Sequence, residues 1–287
     1  MPSDADPIAR HPHRLPRSLR HEYDEFIEQR IEEYKDTLPR DQLLEIGDEA
    51  VAELQKAQQL QLTELVLTEQ VDAIIRRRLK LPSFRRWRER HLPLRLAQNE
   101  ASHWGLAPDE PIAALVERLG DGDTVLVVGA GDGAAVLFLA ARGLRVTVVD
   151  PDIAAVEGLE TRAAAEALGR RIECFVEPLA SWRPRPPCAA CVVEPAALAD
   201  LTTAERVVLV ARLQDATQPA GAHVVMPSTA TGGGRSAGLS SDAFRTLYSE
   251  WIVLRPPAGA GRRSKNVGFI AICPEPSQIV SALTVSE

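Results

Sequence analysis

The sequence predicts an α/β protein: a doubly wound, largely parallel sheet preceded by an all-helical region. Three observations carry this. Asp123 to Pro151 reads as one strand–loop–helix–strand unit with Gly129, Gly131 and Gly133 in its loop. From there to Cys273, β-branched runs alternate with helical stretches, the pattern of a sheet wrapped by helices. Ahead of it, apolar residues recur every three or four positions through the first hundred residues, with charges between them.

In chain order, residues 1–16 hold four prolines and no periodicity, which predicts a disordered tail. Leu19, Tyr23, Ile27, Ile31, Tyr34 and Leu38 then mark one helix, interrupted at Pro39. A long helical segment is expected from 41 to 81, ending at Pro82-Ser83, and a shorter one from Phe84 to Gln98, bent or ended by Pro93. Residues 17–100 thus form a helical region and residues 101–287 the sheet domain. The stretch 76–95 holds nine basic residues (Arg76, Arg77, Arg78, Lys80, Arg85, Arg86, Arg88, Arg90 and Arg95) against Glu89 alone. It reads either as a site for an anionic partner or as a face paired with the acids between Glu22 and Glu53; the scarcity of exposed aromatics favours the second.

His103 and Trp104 lie between the two regions and are candidates to line an entry to the site. A helix over 108–119 leads to the strand Thr124–Val128, whose β-branched, apolar run is that of a buried parallel strand. Gly129-Ala130-Gly131-Asp132-Gly133 follows at once. Glycines allow a tight turn and a close approach to the next helix's N-terminus, where free N–H groups favour negative charge. A second strand over 145–149 ends on Asp150 and Pro151; Asp150, 21 residues after Gly129, is placed to accept hydrogen bonds from ribose hydroxyls. The unit therefore predicts an adenosine-containing cofactor. Gly129-x-Gly131-x-x-Ala134 suits a dinucleotide and Gly129-x-Gly131-x-Gly133 suits S-adenosylmethionine, so the loop leaves the choice open.

A helix over 154–168, a third strand over 171–176, a fourth over 188–193, a helix over 203–215, a turn at 218–221 and a fifth strand over 223–226 follow. Residues 228–241 are rich in Gly, Ser and Thr and read as a loop. A helix over 242–251, a strand over 251–254, a loop with Arg262, Arg263 and Lys265, and a strand over 267–273 close the domain. In such sheets ligands sit beyond the carboxyl ends of the strands. That rule selects the glycine loop, Asp150, the stretch from Glu177, Pro178 and Leu179 to Trp182, and above all Glu194, which could hold a cofactor ammonium or act as a general base. Cys188-x-x-Cys191 has metal-like spacing but no second pair of ligands, and two residues three apart in a strand point to opposite faces, so inert thiols and no metal are expected.

Composition narrows the class further. A net charge of −7 argues against the whole chain being a nucleic-acid binder. No apolar run approaches the roughly 18 residues of a membrane helix. The N-terminal stretch lacks the apolar centre of a secretory signal, and four cysteines form no disulfide framework, so a cytoplasmic protein is expected.

From Trp104 to Cys273 the chain resembles a class I S-adenosylmethionine-dependent methyltransferase, and within that class the thiopurine methyltransferase and tellurite-resistance group. The residues that carry the likeness are Leu126-Val-Val-Gly-Ala-Gly-Asp-Gly133, Val146-Thr-Val-Val-Asp150, Glu194-Pro-Ala-Ala-Leu198 and Gln218-Pro-Ala-Gly221, the last where the family has Lys-Pro-Gly-Gly. The closing helix–strand–strand is similar to the family's antiparallel last hairpin, which a dinucleotide fold lacks. The resemblance implies a Rossmann-like sheet and S-adenosylmethionine held by Gly129, Ala130, Gly131, Asp132, Gly133, Asp150, Pro151, Glu177, Pro178, Leu179 and Glu194, with Glu194 bordering the methyl. It also implies a small-molecule acceptor, a thiol or other soft nucleophile, beside His103, Trp104 and Trp182. Two departures stand out: Val127 where many members have an acid, and Pro178-Leu179 where many have Asp-Leu for the adenine. The helical region has no counterpart in the compact family core and is read as a substrate lid or a homodimerisation arm. A nucleic-acid methyltransferase using 76–95, a non-catalytic cofactor-binding interaction protein and a nicotinamide oxidoreductase are the alternatives.

Overall fold

The computed structural model describes residues 18–57, 63–185, 187–227, 245–254 and 268–274. The tail expected over 1–16, the loop over 228–241 and the Arg262–Lys265 stretch lie outside them. The chain divides into two compact units with the boundary between Arg95 and Leu96.

The first unit is helical: α1 (Leu19–Thr37), α2 (Arg40–Lys56), α3 (Glu64–Arg78) and the greater part of α4 (Phe84–Gln98). Ser18 caps α1 by accepting from the His21 N–H at 3.2 Å, and Pro39 separates α1 from α2. The long segment expected from 41 to 81 is instead two helices. Thr63 caps the second, its hydroxyl accepting from the Val66 N–H at 3.3 Å. The two pair as a hairpin, in which Glu53 bonds Gln70 and Arg77 and Glu49 bonds Arg78. Tyr23, Ile27, Ile31, Ile46, Ala50, Ile74, Ile75 and Trp87 form the core of this unit. Pro93 sits inside α4 without ending it.

The second unit is built on a seven-stranded sheet: β1 (Thr124–Val128), β2 (Arg145–Asp150), β3 (Ile172–Val176), β4 (Cys188–Val193), β5 (Thr217–Val225), β6 (Ile252–Leu254) and β7 (Phe269–Ile272). Their order is β3-β2-β1-β4-β5-β7-β6. The first five are parallel, and β7 runs antiparallel to both β5 and β6. This is a Rossmann-like doubly wound sheet with an antiparallel closing hairpin, as expected. The helices of this unit are α5 (Pro111–Val116), α6 (Ala134–Ala141), α7 (Ile153–Ala165) and α8 (Thr203–Ala216). Every residue of α6 except Ala135 is buried, which accounts for a helix apolar all round. Thr202 and Glu205 form a reciprocal capping box on α8. Apolar side chains pack into two clusters on this sheet.

Two local expectations need correction. The turn expected at 218–221 is part of β5: pairing shifts between Cys188↔Thr217 and Ala190↔Ala222, and Ala220 takes φ 60°. Gln218-Pro-Ala-Gly221 makes an irregularity in the strand rather than its start. The same shift changes the side-chain phase of β4, so Cys188 and Cys191 enter one core cluster instead of opposite faces. Both are buried free thiols. Among the described residues no helix is long and apolar enough to cross a membrane, and no three His, Cys, Asp or Glu residues cluster as metal ligands.

A polar network lies inside the sheet unit. The Thr217 hydroxyl donates to the Leu213 carbonyl at 2.7 Å, so at 2.7 Å from His223 Nε2 it accepts the ring proton. His223 Nδ1 then accepts from the Tyr248 hydroxyl at 3.0 Å. Burial depresses the His223 pKa to about 3, so the ring is neutral.

Candidate active site

The carboxyl ends of three adjacent strands, β2, β1 and β4, assemble the site. Where β1 ends, the chain turns through Gly129, Gly131 and Gly133 at φ 93°, 55° and 80°, a region where side chains are strained. The Gly129 N–H bonds the Val149 carbonyl and the Gly133 N–H bonds the Ala130 carbonyl, both at 2.9 Å. Asp132, just before the Gly133 N-cap of α6, accepts from the Ala134 N–H at 2.9 Å. The Gly131 and Asp132 N–H groups make no bond among the described residues, which leaves donors on the loop for an anionic ligand group.

The need for glycine is stricter than a turn. A methyl group on Gly129 would lie 2.6 Å from the Ala197 Cβ and 2.8 Å from the Glu194 Cβ. One on Gly133 would lie 3.1 Å from Leu159 Cδ1. At both positions the space of the missing side chain is filled by the protein itself; Gly131 alone faces the Glu194 carboxylate at ordinary contact distance.

Asp150 ends β2 and is buried. One carboxylate oxygen accepts from the Ala130 N–H at 2.7 Å, the other from the Asp152 N–H at 2.8 Å. The side chain thus ties the tip of β2 to the glycine loop, and each oxygen keeps a lone pair for a ligand. On the other side of β1, the Glu194 N–H bonds the Val128 carbonyl at 2.9 Å and sets the side chain against the loop. Burial, with the negative charges of Asp132 and Glu110 added, raises the Glu194 pKa to about 7.

Glu110, at the start of α5, carries no sequence signal that marks it as a site residue. Its relation to Glu194 depends on the path of α5, and no local pattern records that. Ala197, whose Cβ closes on Gly129, is equally silent in the sequence.

Of the remaining candidates, Pro151, Glu177 and Pro178 follow the paired carboxyl ends of β2 and β3, while Leu179, Trp182 and Trp104 are buried. Glu177 and Pro178 are exposed after β3, and Pro151 is exposed after β2. Leu179 and Trp182 are core side chains, and the Arg212 guanidinium fixes their segment by donating to the Ala180 and Trp182 carbonyls at 2.9 and 3.1 Å. Trp104 is buried in the other cluster, its indole N–H donating to the Gln98 carbonyl at 2.8 Å. His103 is exposed, edge-on to Trp104. Both tryptophans, read from the sequence as substrate-lining, are packing residues in this arrangement.

No family model matches the chain, and no curated protein does. Among solved structures it is similar to the N-methyltransferase NodS from Bradyrhizobium japonicum, at 17% identity and a TM-score of 0.45 over 57% of this chain and 93% of that one. It is similar to TehB from Haemophilus influenzae at 15% identity and a TM-score of 0.46, over 56% of this chain and 61% of that one. A TehB-like SAM-dependent methyltransferase from Corynebacterium glutamicum is similar at 17% identity and a TM-score of 0.44, over 62% of this chain and 97% of that one.

Proposed function

We propose that the sheet unit binds S-adenosylmethionine and transfers its methyl group to a small-molecule acceptor. The observation that carries the reading is the pair of carboxylates, Asp150 and Glu194, flanking one glycine loop on the strands either side of β1. With strands about 4.8 Å apart, the two stand on the order of 10 Å from each other. That is the span from a ribose to the amino-acid end of an adenosyl amino acid. The antiparallel β7 between β5 and β6 supports this cofactor over a nicotinamide.

The cofactor supplies an electrophilic methyl on a sulfonium. Asp150 accepts the ribose hydroxyls through the lone pairs its two backbone bonds leave free. The open N–H groups of Gly131 and Asp132 face the carboxylate of the methionine part. Glu194 pairs with the methionine ammonium, or takes the proton that the acceptor loses on methylation; a pKa of about 7 suits a base working near neutrality. The field of Asp132, Glu194 and Glu110 disfavours an anionic nucleophile. A neutral amine or hydroxyl therefore fits the site better than the thiolate that the resemblance suggests. A nucleic-acid acceptor is disfavoured because Arg77, Arg78 and Arg95 of the basic stretch are bonded to Glu53, Glu49 and Glu22.

Calorimetry with S-adenosylmethionine, S-adenosylhomocysteine and NADH tests the reading. Micromolar binding of the first two without NADH is expected, weakened at least tenfold in Asp150→Ala. NADH binding alone, or affinity unchanged by Asp150→Ala, would overturn it.

A further inference from the structure

We propose that the helical unit holds an anion site of its own, a pocket that takes the phosphoryl group of a small organic phosphomonoester. The pocket has a volume of about 460 Å³, and Arg20, Arg76, Arg77, Lys80, Ser83 and Phe84 are among its lining. Four cations line it and no carboxylate does. They come from separate parts of the unit: Arg20 from α1, Arg76 and Arg77 from the last turn of α3, Lys80 from the turn that follows.

Two of these cations have acidic partners outside the lining. Arg20 lies 3.3 Å from Asp24, an exposed pair on one helix face, and Arg77 bonds Glu53 at 2.7 and 2.9 Å. Arg76 and Lys80 are exposed and make no ion pair among the described residues. Basic residues in a helix's last turn complement its dipole, and that accounts for Arg76, Arg77 and Arg78. It does not account for Lys80. The Lys80 N–H bonds the Arg77 carbonyl and the Leu81 N–H bonds the Arg76 carbonyl, both at 3.1 Å, which closes α3 with Lys80 at φ 50°. Glycine is the residue this position favours, because a side chain there is strained. The fold instead keeps a lysine, which lines the pocket together with three arginines.

The walls are set before a ligand arrives. The Tyr23 hydroxyl donates to the Pro82 carbonyl at 2.9 Å, holding the α3–α4 connection. Arg20 lies over the rings of Phe84 and Tyr23, at 5.2 and 5.6 Å. The charges gather round one cavity rather than along a stripe, which suits a compact dianion over an extended phosphodiester chain.

The probe is phenyl phosphate, titrated calorimetrically into the full chain at low ionic strength, beside an RNA decamer lacking terminal phosphates. One equivalent of phenyl phosphate should bind, and Lys80→Gly and Arg76→Gln should each weaken it about tenfold, or about 1.4 kcal/mol. Lys80→Gly should also raise the thermal midpoint of the helical unit, because it relieves the left-handed strain, so lost binding there cannot be lost folding. Undiminished affinity in Lys80→Gly would overturn the proposal. So would RNA binding that is tighter than phenyl phosphate binding and falls steeply with salt, which would assign the pocket to nucleic acid.

Discussion

Replacing Glu194 with glutamine should stabilise the sheet unit while disabling it. The carboxyl group's pKa rises from 4.5 to about 7 on folding, chiefly through burial and then through Asp132 and Glu110. Below pH 4.5 the folded and unfolded chains both carry the proton and the group contributes nothing. Between pH 4.5 and 7 the unfolded chain ionises while the folded one holds its proton, so stability falls as pH rises, and above 7 the loss is complete. Two and a half pH units correspond to about 3 kcal/mol. The side chain is not fully buried, and solvent screening reduces this to about 2 kcal/mol. Glutamine keeps the contacts with Gly129 and Gly131 without a charge. The variant should therefore match the wild type at pH 4.5 and exceed it by about 2 kcal/mol at pH 8. Urea unfolding at both pH values reads this as a midpoint shift at constant slope, on the order of 1 M for a slope near 2 kcal/mol/M. Three of the four tryptophans, Trp104, Trp182 and Trp251, lie in the sheet unit and Trp87 in the helical one, so fluorescence reports mainly the sheet unit. An offset equal at the two pH values, or none, would refute the raised pKa. Affinity for S-adenosylhomocysteine should fall at least tenfold in the same protein, the trade of stability against function that a ligand site shows.

His223 should produce the opposite slope. Its pKa drops from 6.5 to about 3 on folding, so it costs about 1.4 kcal/mol per pH unit as pH falls below 6.5; in His223→Gln the wild-type loss of stability between pH 6.5 and 3 should shrink, as measured by the same unfolding series. Gly129→Ala should cost more than 2 kcal/mol, because the methyl would meet Ala197 and Glu194 below 3 Å, whereas Gly105→Ala, also at positive φ but with nothing within 4 Å, should cost only about 1 kcal/mol. Equal midpoint shifts for the two glycine variants would show that the close approach of β4's end does not set the requirement.

What the sequence reveals of this protein is what short stretches decide. The glycine loop, both flanking strands and Asp150 lie within 27 residues, and turn chemistry and β-branching suffice to place them. Glu194 follows from one rule about strand ends, and the closing hairpin follows from the order of elements. The break between α2 and α3 is not legible, because Ala57 to Thr63 contains neither proline nor glycine and its periodicity continues. What turns the chain back there is contact distant in sequence: Ile46 and Ala50 of α2 share a core with Ile74 and Ile75 of α3, and Glu49 and Glu53 pair with Arg78 and Arg77. The irregularity in β5 looks like a turn because Pro219 and Gly221 serve either, and the pairing with β4 decides between them. Glu110 is invisible for a related reason: it lies 84 residues before Glu194 and shares a field with it only because of the path of α5.

Collecting Asp132, Glu194 and Glu110 at one edge raises the energy of the ligand-free protein, and a cation is what relieves it. That makes proton release the most direct sign of the proposed chemistry. At pH 7 Glu194 is about half protonated. An ammonium group beside it favours the carboxylate and returns its pKa toward the ordinary range. Binding S-adenosylmethionine at pH 7 should then release about half a proton, and at pH 6 nearly a whole one. Calorimetry in PIPES and in imidazole counts the protons, because the two buffers take them up with different heats. Heats that are the same in both buffers at pH 6 would mean that the cationic end of the ligand does not reach Glu194, and the residue would then be reassigned to the acceptor. In Glu194→Gln the buffer dependence should vanish whatever affinity remains, which ties the proton to this side chain rather than to a histidine elsewhere. Asp150 makes the complementary case: it is held by two backbone N–H groups, and its loss should weaken binding without changing the proton count.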